Sequence, residues 1–84
     1  MGKIYKSNGE VQEIEPKNGN HFTLAELQEI VGGYFEPIYL PKGMVLAVNE
    51  EGLLKELPFN EKASNMTMKL IVGDVLLCSN KQLD

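Results

Sequence analysis

Phe22-Thr23-Leu24-Ala25-Glu26-Leu27-Gln28-Glu29-Ile30-Val31-Gly32-Gly33 spells out a complete short helix, from entry to stop. Thr23 and Glu26 have the spacing of a capping box. The Thr hydroxyl accepts from the Glu N–H, and the Glu carboxylate reaches back to the Thr N–H. Phe22 precedes the cap and Leu27 stands at the fourth helical position, the arrangement of a hydrophobic staple. Leu24, Leu27, Ile30 and Val31 recur at helical spacing. Gly32-Gly33 supplies the left-handed stop. The pattern predicts one capped helix at about 24–32. Two to three turns are marginal alone, so tertiary packing must hold them.

The segments on either side read as strands. Upstream, Ser7-Asn8-Gly9-Glu10 is a hairpin signal, because Asn-Gly accepts positive φ at the central positions of a tight turn. Ile4 and Tyr5 precede it; Val11 and Ile14 follow. Their alternation is imperfect and leaves the register open. Residues 16–20 are polar and read as a loop. Downstream, residues 34–40 are aromatic and β-branched but contain Pro37, which cannot donate to a ladder; this predicts an edge or bulged strand. Pro41-Lys42-Gly43 is a turn, and 44–48 is a compact apolar strand pairing back. Asn49-Glu50-Glu51-Gly52 is the next turn, and 53–57 a short extended apolar piece. Asn60 caps a short second helix at about 61–66. The longest apolar run, 68–78, is split by Gly73-Asp74 into two short strands or one bulged strand. Residues 79–84 read as a polar, flexible tail. The expected fold is α+β: one domain over 1–84, with a small, mainly antiparallel sheet of about four to six strands and two helices.

Bulk properties narrow the function. A chain of 84 residues buries only about 60–65% of its unfolded surface. A deep internal active site is hard to build on so thin a core, and oligomerisation is a common remedy, so a homo-oligomer is expected. Lys+Arg number 8 against 12 Asp+Glu, for a net charge of -4. All eight are lysines. No basic block exists to neutralise phosphates, which argues against nucleic-acid and anionic-membrane binding. The acidity is too sparse for a nucleic-acid mimic. One cysteine, Cys78, permits no intrachain disulfide. No apolar run approaches a membrane span, the opening residues do not read as a signal peptide, and Lys6 breaks a myristoylation motif at Gly2. A cytoplasmic location is expected.

Chemistry-bearing residues are few. His21 is the single histidine and lacks the partners a metal site or general base requires. Cys78 follows Val75-Leu76-Leu77 and reads as a core thiol rather than a nucleophile. Gly32-Gly33 follows a helix, whereas a phosphate loop precedes one. Glu50 and Glu51 offer adjacent carboxylates for a hard cation or acid–base work, although turn chemistry alone explains Asn-Glu-Glu-Gly. The six aromatics serve chiefly the core, with two or three free to stack on a planar ligand.

Ile30-Val31-Gly32-Gly33-Tyr34-Phe35-Glu36, Val48-Asn49-Glu50-Glu51-Gly52, Leu57-Pro58-Phe59-Asn60, Ala63 and Ile71-Val72-Gly73-Asp74 occur in this order. Together they resemble a family of small proteins of bacteria, phages and mobile elements known as a domain of unknown function. The pattern covers over half the chain; the short N-terminal hairpin departs from it. The resemblance implies a small accessory protein, often phage-borne, and compact phage proteins of this size often act by binding. The leading expectation is therefore a non-enzymatic binding protein of phage or mobile-element type, without cofactor, that sequesters a nucleotide-derived defence signal. Against this stands the absence of arginine, the bidentate phosphate clamp. Candidate ligand-binding residues are Tyr34 and Tyr39 for stacking, with Asn49, Glu50, Glu51 and Asn60 as a polar rim. The rivals are an inhibitor that binds a host protein through the sheet edge at 34–40, and a small metal-dependent hydrolase using Glu50 or Glu51.

Overall fold

The computed structural model describes residues 2–83. Five antiparallel strands form one sheet in the order β2-β1-β5-β4-β3. They are β1 (Gly2–Tyr5), β2 (Val11–Ile14), β3 (Phe35–Leu40), β4 (Met44–Asn49) and β5 (Val75–Ser79), with helices α1 (Leu24–Val31) and α2 (Glu61–Thr67). This is the expected α+β fold.

The first hairpin has the register Gly2↔Ile14 to Tyr5↔Val11. Its turn is closed by Lys6 N–H to Glu10 O at 2.9 Å, with Gly9 at φ 98°. α1 carries the complete capping box and ends on Gly32 in the left-handed conformation. Glu26 accepts from Thr23 N–H and from Thr23 Oγ1, and its second oxygen accepts from Lys17 N–H. One carboxylate thus starts the helix and pins the preceding loop. These backbone donors, Thr23 first and Lys17 next, hold its pKa below the ordinary glutamate value.

Alternation along β4 and β5 divides the apolar residues between two faces. One face carries Ile4, Val45, Ala47, Leu76 and Cys78 beneath Phe22 and Leu27. Phe22 and Leu27 are 0% exposed, so the staple residues are also the centre of the core. A Cβ on Gly2 would come within 2.9 Å of the Phe22 ring; Gly2 is required by packing. The other face carries Leu46, Val48 and Val75, with Ala63 and Met66 from α2 and Ile71 from the following loop.

Three expectations are corrected. Residues 53–57 are not an extended piece: 53–56 form turns, because Lys55 N–H donates to Glu51 O, Glu56 N–H to Leu53 O and Leu57 N–H to Gly52 O, which closes the segment on itself. The 68–78 run yields one strand only from Val75; before it, Val72 makes a single bridge to Phe59. The expected flexible tail at 79–84 is packed as far as Leu83. Ser79 ends β5, Asn80–Gln82 form a 3-10 turn, Gln82 O accepts from Phe22 N–H at 2.7 Å, and Leu83 packs on the core. Asp84 lies outside the described residues.

Candidate functional site

β3 stands at the sheet edge, as Pro37 predicts. Glu50 N–H donates to Tyr34 O at 2.9 Å, which marks the 34/50 pair as hydrogen-bonded. By the antiparallel alternation, the peptide groups of Glu36, Ile38 and Leu40 then face β4. Those of Phe35, Pro37 and Tyr39 face outward. Pro37 therefore costs the ladder nothing and instead deletes the central donor of the free edge.

The α2 side of the sheet is covered unevenly. α2 is anchored to the end of β1 and to the loop before β5 by Asn60, which is 1% exposed. Its side-chain N–H groups donate to Tyr5 O and Gly73 O, both at 2.8 Å, and its carbonyl oxygen accepts from Ala63 N–H. Toward β3 the same face opens into a cleft of about 500 Å³. Val48 and Ile71 lie at its base, and both are buried. Glu36 and Ile38 of β3 form one wall, and the 50–54 and 69–72 segments form the others. Leu53, Leu54 and Leu70 are 64%, 84% and 61% exposed.

Hydrogen bonds hold both loop walls. Asn49 donates to Val31 O at 2.9 Å and accepts from Glu51 N–H at 2.8 Å. The end of α1 and the 49–52 turn are thereby tied together. Leu57 N–H donates to Gly52 O, Gly73 N–H to Pro58 O and Asn60 N–H to Ile71 O. A Cβ on Gly52 would meet Val72 at 2.7 Å, so glycine lets the two walls touch.

Of the candidate residues, the structure brings Asn49, Glu50 and Glu51 together on the cleft. Tyr34 lies beside them in a shallower depression shared with Gln28, Gly33, Glu51 and Lys55. Tyr39 pairs with Val45 and so projects on the α1 side, away from the cleft. Asn60 is not a rim residue: its polar atoms are committed to holding α2. Glu51 pairs with Lys55 at 3.8 Å, and Glu36 and Glu50 have no ion-pair partner among the described residues. Among the described residues, Lys69 is the single cation lining the cleft. Among the described residues, no group of three or more His, Cys, Asp or Glu is placed to hold a metal ion. Cys78 is 0% exposed, and burial pushes its thiol pKa up to about 11, unsuited to nucleophilic work at neutral pH.

Sequence reasoning missed Glu36, Ile38, Leu53, Leu54, Lys69 and Leu70. One signal was present. Leu53-Leu54 directly follows the turn residues Asn49–Gly52 and stands shortly before Pro58, and apolar residues held in turns mark a surface.

A family model matches residues 4–83, taking in α1, α2, four whole strands, part of β1 and every wall of the cleft. The chain belongs to the family described as domain of unknown function DUF3846. No curated protein and no solved structure matches this DUF3846 chain. No helix among the described residues is long and apolar enough to cross a membrane.

Proposed function

We propose that this DUF3846 chain is a non-enzymatic binding protein whose recognition surface is the cleft below β3. The supporting observation is the uneven cover of the α2 face: a buried apolar base ringed by three exposed leucines on hydrogen-bonded walls. A surface of this kind gains free energy only when something covers it. The polar residues nearby serve structure, as Asn49 does, or stand unpaired at the rim, as Glu36 and Glu50 do. The hydrolase rival finds no third ligand beside Glu50 and Glu51 among the described residues.

A phage or mobile-element setting suggests two occupants, a nucleotide-derived defence signal or a host protein. The rim favours the host protein. Glu36, Glu50 and Glu51 outnumber Lys69, and a phosphate there would face carboxylates without an arginine to clamp it. Binding through the β3 edge itself is the weaker protein-binding version, because Pro37 deletes a donor in mid-strand.

Native mass spectrometry of the purified protein, alone and with a panel of cyclic and ADP-ribose-derived nucleotides, tests the reading together with amide shift mapping. The nucleotides should leave the mass unchanged, and a protein or peptide occupant held unmodified, with shifts at Gly52, Leu54, Leu70 and Val72, is the expected result. Turnover of the occupant, or full retention by an L54S/L70S variant, would overturn it.

A further inference from the structure

We infer that the cleft docks a short, basic, amphipathic segment of a partner protein. Apolar side chains of that segment settle on Ile38, Leu53, Leu54 and Leu70, and a flanking Lys or Arg meets Glu36 and Glu50. The inference rests on the cleft being a binding surface and names what occupies it.

Three observations select this occupant. The leucines are carried on backbone already fixed by Leu57 N–H to Gly52 O and Lys55 N–H to Glu51 O on one wall, and by Asn60 N–H to Ile71 O on the other. Little conformational entropy remains to be lost on docking. Among the described residues, the lining holds three carboxylates and one ammonium, and Glu36 and Glu50 lack ion-pair partners. A cationic flank is the complement of such a rim and also speeds encounter. A second copy of this chain is a poor complement. Each copy carries a net charge of -4, and a symmetric contact would set the same carboxylates against each other. An anionic membrane or nucleic acid is repelled by the same charges. Finally, the outward groups of β3 lack the Pro37 donor, so the segment is recognised by its side chains in the cleft rather than by adding a strand to the edge.

The test is a random-sequence peptide library selected on the full chain, with counter-selection on L54S/L70S. Both leucines are largely exposed, so the variant should melt as the wild type does, and its melt is recorded first. Enriched peptides are expected to combine Leu, Ile or Phe with Lys or Arg. Replacing the basic residues of a hit by Glu should weaken binding about tenfold. The L54S/L70S chain should bind the hit about tenfold or more weakly. Enrichment of acidic or uncharged peptides, or equal binding to both chains, would overturn the inference. A concentration-dependent dimer abolished by L54S/L70S would give the cleft to a second copy. A nucleotide retained there in the native mass spectrum would replace the peptide but leave the binding reading intact. If neither peptide, nucleotide nor second copy perturbs the cleft amides, both readings fall.

Discussion

The two faces of this sheet are built from similar strands but finished differently. On the α1 side, Phe22 and Leu27 are wholly buried, a complete capping box starts the helix, and Leu83 closes the margin. On the α2 side, the helix buries only Ala63 fully and is anchored at its start to Tyr5 O and Gly73 O, and an open cleft remains beside β3. A domain of this size has too little apolar material to seal both faces, and what it leaves open is where a partner gains most by binding. The contrast assigns stability to one face and recognition to the other.

Substitutions can break that contrast. The largest loss is expected at Phe22→Ala, which empties the centre of the sealed face and should cost about 3–5 kcal/mol in urea denaturation. Ile38→Ala, on the half-open face, should cost under about 2 kcal/mol. Equal losses would mean that the faces share one core. Next comes Asn60→Ala, which removes the α2 cap and leaves Tyr5 O and Gly73 O without their donor. It should cost about 2–3 kcal/mol. A near-neutral result would show that α2 is held by packing alone.

A smaller, pH-dependent effect belongs to Glu26. Its folded pKa lies below the ordinary glutamate value of 4.5, so its carboxylate contributes stability above that pH, and the contribution is lost as pH falls from there through the folded pKa. Thermal melts of the wild type should decline with acid more steeply than those of Glu26→Gln over that window. Parallel curves would remove the carboxylate from the account of α1. Smallest of all, the L54S/L70S double change should stay within about 0.5 kcal/mol of wild type. A larger loss would place both leucines in the fold rather than on the surface.

Where structure follows from neighbours in sequence, the sequence alone determined it. The Thr23–Glu26 box, the Gly32 stop, the Asn-Gly hairpin, the Asn60 cap and the restriction of the Pro37 strand to an edge or a bulge rest on a few residues each, with their own chemical signatures. The α+β class follows from them. The candidate site was only half legible. Asn49, Glu50 and Glu51 drew attention as turn residues and do line the cleft, whereas Asn60 looked like a rim and is a buried anchor. Its partners Tyr5 and Gly73 lie 55 and 13 residues away, so no local pattern shows that its donors are already committed. The register, the packing of 80–83 against Phe22 and the gathering of Ile38, Leu54 and Leu70 around one cleft were decided only in the tertiary structure. There, burying one set of apolar side chains determines which others remain in water.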